Sequence, residues 1–256
     1  MAKTPLLKTE NLGISFGGLR AVDKVQLTIN EGEIVGLIGP NGAGKTTCFN
    51  MITGVYKPTD GSIELGGQRI DGLPTPVINS KGIARTFQNI RLFKGLSVLD
   101  NVRVALHAET KYGLWAGIFR TPHYKRTEIT VKERAIELLK VFNLEGRLHD
   151  TAASLPYGDQ RKLEIVRALA TRPKLMLLDE PAAGMNPQET ANLIGLIHRL
   201  RAEFGVTVLL IEHDMSLVMK ICERIYVLDY GKEIAHGGPA EIQSNRQVIK
   251  AYLGEA

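Results

Sequence analysis

Eight consecutive residues, Gly39, Pro40, Asn41, Gly42, Ala43, Gly44, Lys45 and Thr46, satisfy every fixed position of the spacing G-x-x-x-x-G-K-[ST]. Glycines at those places let the backbone curl until several N–H groups converge on phosphate oxygens. A helix starting there adds its positive end. Lys45 is expected to reach the β- and γ-phosphates of a nucleotide, and the Thr46 hydroxyl to ligate Mg²⁺. Thr47, one residue on, is placed to donate to the α-phosphate. A second chemical feature is Asp179-Glu180, which closes the apolar run Leu175-Met-Leu-Leu. A buried strand would deliver both carboxylates to the C-terminal edge of a parallel sheet, where α/β proteins bind ligands. There Asp179 would hold Mg²⁺ through water, and Glu180 would polarise an attacking water. His213 follows a third apolar run, 206–211, and could meet the γ-phosphate. Gln88 ends a run over 83–87 and could approach metal and water. The remaining histidines, 107, 123, 149, 198 and 236, form no constellation.

These side chains need elements to carry them. Residues 33–38 form a continuous apolar strand of the type buried on both faces of a parallel sheet, followed by the glycine loop and a helical pattern. Short β-rich runs occupy 6–16 and 25–29, and glycine turns around 61–67 read as a hairpin. Further strands are expected at 83–87, 175–178, 206–211 and 225–228. Helices are expected at 159–170, 187–204 and 215–221, so strand and helix alternate in the manner of a parallel sheet covered by helices. Between 96 and about 153 helical periodicity takes over, at 98–106 and 131–142. Those two helices flank a Gly-, aromatic- and basic-rich stretch, 111–127, that holds the single Trp, Trp115. The layout is an α/β core interrupted by a helical insertion.

The 256 residues fit one or two domains with an ample core. At 44% hydrophobic and 23% charged, the composition excludes a disordered chain and a collagen. Two cysteines, Cys48 and Cys222, build neither a zinc site nor a disulfide framework. The first residues lack a signal peptide's apolar stretch. The longest apolar runs fall far short of the roughly 20 residues that cross a bilayer, so a membrane role is expected to come through a partner. A net charge of +5 suits nucleotide, anionic lipid or nucleic acid and selects none of them.

Taken in order, the glycine loop, Gln88, the segment Leu155-Pro-Tyr-Gly-Asp-Gln160, Asp179-Glu180, the loop Ala183-Gly-Met-Asn186 and His213 resemble the ATP-binding cassette (ABC) ATPases. The resemblance covers about 6 to 252. It implies a P-loop (RecA-like) α/β core, a small antiparallel β subdomain and an inserted helical subdomain. The implied boundaries are one domain over 6–253. Within it, about 6–92 and 163–237 form the core with its β subdomain, about 93–162 the helical subdomain, and 238–256 a C-terminal helical tail. It implies ATP and Mg²⁺, with Thr46, Gln88 and Asp179 on the metal and Glu180, His213, Gln88 and Lys45 in catalysis. Phe16 looks like the aromatic that stacks on adenine, with Val22 on the same face. The family works as a head-to-tail dimer in which one subunit's signature completes its partner's site.

The signature here departs from the usual Leu-Ser-Gly-Gly-Gln. Pro156 replaces the serine hydroxyl, Gly158 remains at a helix start, and Asp159 adds a negative charge close to the expected phosphate. Asn186 stands where the family usually has Asp. More narrowly, Phe16-Gly-Gly-Leu-Arg-Ala-Val22, Ala84-Arg-Thr-Phe-Gln-Asn-Ile-Arg-Leu-Phe93 and Pro181-Ala-Ala-Gly-Met-Asn-Pro187 are similar to the ATP-binding subunits of bacterial branched-chain amino-acid importers. That resemblance implies two membrane permease subunits, a second and distinct ABC ATPase, and an extracytoplasmic amino-acid-binding protein acting indirectly. It places the chain peripherally on the cytoplasmic face of the inner membrane. A lipid- or lipopolysaccharide-exporter ATPase is an alternative, since its C-terminal segments resemble His236-Gly237 and Tyr252-Leu-Gly-Glu255; the 111–127 stretch and the altered signature weigh against it. A soluble ABC ATPase acting on nucleic acid or ribosomes is another. No concentrated basic tract supports it, so no nucleic-acid partner is expected.

Overall fold

A computed structural model describes residues 5–107 and 121–253, in two compact units. The first comprises residues up to 88 and from 174 onward; the second comprises 89–173. Trp115 and most of the 111–127 stretch lie outside the described residues.

The first unit holds two sheets. Strands β1 (Pro5–Phe16), β2 (Leu19–Val25), β3 (Thr28–Asn30), β5 (Asp60–Leu65) and β6 (Gln68–Arg69) pair antiparallel, with β1 between β2 and β5. The expected run over 25–29 is split, because β2 ends at Val25 and β3 begins at Thr28. The other sheet takes β4 (Ile34–Ile38), β7 (Ile83–Arg85), β8 (Leu175–Asp179), β9 (Thr207–Ile211), β10 (Arg224–Asp229) and β11 (Lys232–Gly237) in the order β11-β10-β4-β9-β8-β7. All neighbours run parallel except the β10–β11 pair. Every residue of β4, β8 and β9 is buried. This is why their sequences are unbroken apolar runs: helices cover both faces of a parallel sheet. Parallel register brings the ends of these strands to one edge, with Leu37 beside Ile211 and Ile211 beside Asp179.

Helix α1 (Lys45–Ile52) follows β4 and packs Phe49, Met51 and Ile52 into the core. Helix α2 (Thr75–Ser80) precedes β7. Strand β11 has a half-exposed, mixed-polarity sequence, typical of an antiparallel strand at a sheet edge, and it carries no apolar run for a pattern search to find.

Three longer helices make the second unit: α3 (Val98–His107), α4 (Pro122–Val141) and α5 (Tyr157–Leu169). Helix α4 begins nine residues before the expected Val131. Pro122 occupies its first position and Thr121 accepts the Tyr124 N–H at 3.3 Å, so a cap and a proline start it ahead of the apolar periodicity. The unit's interior is partly polar. Arg161 is fully buried and pairs with Glu164 at 2.9 Å. Glu164 also accepts the Arg91 N–H at 3.0 Å, and buried Asn101 clamps Phe93 through both its N–H (2.9 Å) and its carbonyl (3.1 Å). The Phe93 side chain stays half-exposed beneath Arg167, 5.3 Å from the ring centroid.

In the first unit, α6 (Pro187–Phe204) and α7 (Met215–Ile221) coincide with their sequence expectation. The chain ends in α8 (Pro239–Ser244) and α9 (Arg246–Leu253).

Candidate functional site

The glycine loop leaves the end of β4 and enters α1, as phosphate binding requires. Gly39 has φ +149°, and a Cβ there would stand 2.0 Å from the Leu228 carbonyl oxygen. Gly44 precedes α1 at φ +99°, and its Cβ would lie 2.9 Å from the Ala21 carbonyl oxygen. No other residue type fits either position without moving backbone. Pro40, Asn41, Gly42 and Ala43 form the bend between them, beside a cleft of about 890 Å³ also walled by Tyr230 and Lys250. Lys45 folds back over the loop, its Nζ donating to the carbonyls of Gly39 (2.7 Å) and Pro40 (2.8 Å). Burial pushes its pKa down, while the charges of Glu180 and Asp179 oppose that shift. Thr46 is exposed at the second residue of α1 and Thr47 half-buried beside it.

The carboxylates emerge where β8 ends. Asp179 is buried, with its Oδ2 2.7 Å from Arg85 Nη2. Glu180 leaves the strand in a left-handed conformation at φ 47°, unusual for a residue with a Cβ and typical of functional turns. Its N–H donates to the Ile211 carbonyl at 2.9 Å, which fixes its backbone to the end of β9. Its side chain is shared between two groups. Gln88 Nε2 donates to one carboxylate oxygen at 2.7 Å, and His213 Nε2 lies 2.8 Å from the other. Gln88 and His213, which follow β7 and β9, thus meet around the one carboxylate that follows β8.

Phe16 sits half-exposed at the end of β1, edge-on to Tyr56 with ring centroids 5.2 Å apart. Val22 is fully buried, beneath Gly44. Gly158 belongs to the second unit, as the second residue of α5, with Pro156 at the cap position. The carboxylate of Asp159 has ion-pair partners in its own unit. Lys162 Nζ holds its carboxylate at 2.8 Å and Arg147 lies 3.8 Å away, so the negative charge is balanced within its own unit. Asn186 caps α6 by accepting the Glu189 N–H at 2.9 Å while Glu189 accepts the Asn186 N–H at 2.9 Å, a reciprocal box that Asp would also form, so its departure from Asp has no structural explanation.

Two residues here escape a sequence reading. Arg85 closes an otherwise apolar strand, a signal that a buried partner must exist for it. Glu212, between the apolar end of β9 and His213, is buried; it accepts the Ala182 N–H at 2.8 Å and the His213 N–H at 3.1 Å. Burial pushes its pKa up, those backbone donors pull it down, and the charge of Glu180 raises it.

A parallel sheet whose strand ends bring a phosphate loop, a buried Asp, a Glu and a His together defines a nucleoside-triphosphatase of the ABC type, and the chain belongs to the ABC transporter family. The family model described as "ABC transporter" matches residues 22–183. A second, "Branched-chain amino acid ATP-binding cassette transporter", matches residues 232–256. The high-affinity branched-chain amino acid transport ATP-binding protein LivG of Escherichia coli (strain K12) is 50% identical over 98% of this chain and 99% of its own length. The lipopolysaccharide export system ATP-binding protein LptB of the same organism is 37% identical over 97% of each chain. The crystal structure of MJ1267, an ATP-binding cassette of an ABC transporter in its ADP conformation, superposes with a TM-score of 0.85 at 31% identity, covering 98% of this chain and 100% of that one. The chain is an ABC-type ATPase.

Proposed function

We propose that this chain is the ATP-hydrolysing subunit of a bacterial importer of branched-chain amino acids, working on the cytoplasmic face of the inner membrane through permease subunits. The observation that carries the substrate class is the end-to-end likeness to an amino-acid import subunit at 50% identity, against 37% for the lipopolysaccharide exporter subunit. Among the described residues no helix is long and apolar enough to cross a membrane, so the path for the amino acid is assigned to partners.

Lys45 exchanges the Gly39 and Pro40 carbonyls for β- and γ-phosphate oxygens as ATP enters. The loop N–H groups and α1 hold the rest of the phosphate chain, and Phe16 offers its exposed face to adenine. Glu180 orients a water and draws its proton while the water oxygen bonds the γ-phosphorus. The bond from that phosphorus to the bridging oxygen breaks, and ADP and phosphate leave. Gln88 and His213 fix the two oxygens of Glu180, and His213 is placed to contact the γ-phosphate. Phosphoryl transfer depends mostly on positioning and charge stabilisation, and these residues supply both.

The donor set also fits Mg²⁺. Among the described residues no three His, Cys, Asp or Glu cluster into a self-sufficient metal cage. Mg²⁺ takes one or two carboxylates together with substrate phosphates, and Thr46 and Asp179, with Gln88 nearby, offer that arrangement. When bound, it neutralises charge on the phosphates.

The test is the chain's role in its own cell. Deleting its gene should abolish high-affinity uptake of labelled leucine, isoleucine and valine, and purification from membranes should bring permeases with it. Unchanged uptake with co-purification of a lipid-export complex would establish the exporter reading instead.

A further inference from the structure

Arg85 is a charged residue at the end of a buried strand. Its side chain is 7% exposed and that of Asp179 6%. Nη2 donates to Asp179 Oδ2 at 2.7 Å, and Nη1 donates to Asn50 Oδ1 at 2.7 Å and Thr53 Oγ1 at 3.4 Å. The guanidinium lies between two aromatic rings, 5.5 Å from the Phe49 centroid and 5.0 Å from that of Phe87. Both terminal nitrogens of this cation are therefore held by hydrogen bonds and its plane is packed by the two rings, while Nε is buried without a hydrogen-bond partner.

Its three attachments are the three segments on which the site is built. Asn50, Thr53 and Phe49 sit on or just after α1, the helix that opens with Lys45 and Thr46. Arg85 and Phe87 run directly into Gln88. Asp179 ends β8 immediately before Glu180. A carboxylate with one oxygen fixed by a rigid donor has its rotation fixed as well, and its second oxygen then points in one direction only. We propose that Arg85 is a positioning residue for the metal: it sets the orientation of the Asp179 carboxylate and its spacing from Thr46. This rests on the reading of Asp179 as the metal-facing carboxylate.

The competing role is plain neutralisation of a buried charge. A lysine would neutralise Asp179 equally, but its single nitrogen on a flexible stem cannot bridge Asp179 and Asn50 in a fixed plane. Arg85→Lys therefore separates the two roles.

The experiment uses the purified full-length chain with a non-hydrolysable ATP analogue. Mn²⁺ affinity is read by electron paramagnetic resonance, and metal-free nucleotide affinity by titration in chelator. Arg85→Lys should weaken Mn²⁺ binding about tenfold, as loss of a residue that orients a metal ligand does. Metal-free nucleotide affinity should stay at the wild-type value. Asp179→Asn should weaken Mn²⁺ more, and the double variant should be no worse than Asp179→Asn alone, because Arg85 acts through that carboxylate. Wild-type Mn²⁺ affinity in Arg85→Lys alongside a loss in Asp179→Asn would overturn the proposal while leaving Asp179 on the metal. Full Mn²⁺ affinity in Asp179→Asn would remove Asp179 from the metal and the proposal with it. Should Arg85→Lys fail to fold, Asn50→Ala, which keeps the charge pair and removes the shorter of the two Nη1 hydrogen bonds, is expected to show a smaller loss in the same direction. Wild-type affinity in that variant would overturn the proposal equally.

Discussion

Glu180 and His213, 33 positions apart in sequence and just past the ends of β8 and β9, meet across 2.8 Å, Oε1 to Nε2. With Gln88 on the other oxygen, the carboxylate is held from both sides. Glu180→Gln keeps the shape and loses the ability to draw a proton from water. General-base loss costs roughly 10²–10⁴-fold, so hydrolysis should fall by at least about a hundredfold while ATP still binds. Single-turnover hydrolysis and nucleotide titration on the same preparation measure both. Turnover within a few-fold of wild type would remove Glu180 from the role of base.

Lys45 is bonded to the carbonyls of Gly39 and Pro40, inside the loop it is meant to serve. Lys45→Ala deletes both the internal tie and the charge that meets the phosphates. A charge-assisted hydrogen bond contributes roughly 1.5–3 kcal/mol, so ATP affinity should drop by about tenfold or more and hydrolysis further still. Equilibrium binding of a fluorescent ATP analogue checks the first, and phosphate release the second. Wild-type affinity would mean the ammonium never leaves the carbonyls.

What was legible in the sequence is what is encoded locally. The glycine loop carries its chemistry in eight adjacent residues, and β4, β8 and β9 announce themselves because burial on both faces forces an unbroken apolar run. What was not legible depends on partners far along the chain. Arg85 finds Asp179 94 positions away, and no local pattern reports that. Strands β2 and β11 are of mixed polarity, and their places in the sheets are set by antiparallel pairing. Asp159 reads as a lone negative charge until Lys162, one helical turn on, is seen to hold it.

Glu212 predicts a pH dependence. Burial raises its pKa above the usual carboxylate range, so the folded chain holds this proton more tightly than the unfolded chain does. Its contribution to stability is fully present below the unfolded pKa and is lost as pH rises through the higher folded value. Glu212→Gln keeps the uncharged form at every pH. Relative to wild type, the variant's melting temperature should therefore improve as pH rises above the ordinary carboxylate range toward neutrality. Thermal denaturation across that range measures the difference. A gap that stays flat, or moves the other way, would show that the Ala182 and His213 N–H groups fully compensate the buried charge.

The last prediction concerns the partner ATPase. In the head-to-tail dimer that the family resemblance implies, the segment at Pro156 and Gly158 serves the other subunit's ATP. Asp159 beside it is paired with Lys162 and Arg147. What is missing is a hydroxyl donor, because proline stands at the cap of α5 and offers the helix no side-chain hydrogen bond. One absent hydrogen bond to a charged phosphate is worth roughly 1.5–3 kcal/mol, enough to slow a site about tenfold or more. Two copies of this chain would carry that loss at both sites. A distinct second ATPase with a serine in its signature would leave one site fully furnished: the one built on this chain's Lys45, Glu180 and His213. The expected physiological form is thus a heterodimer, and Glu180→Gln in this chain should depress transport more than the matching change in the partner. Pro156→Ser should in turn speed the slower site. These are measured by leucine uptake into vesicles reconstituted with each single variant. Equal damage from the two glutamate variants would abolish the asymmetry, and a fully active assembly with two copies of this chain and no second ATPase would abolish the heterodimer.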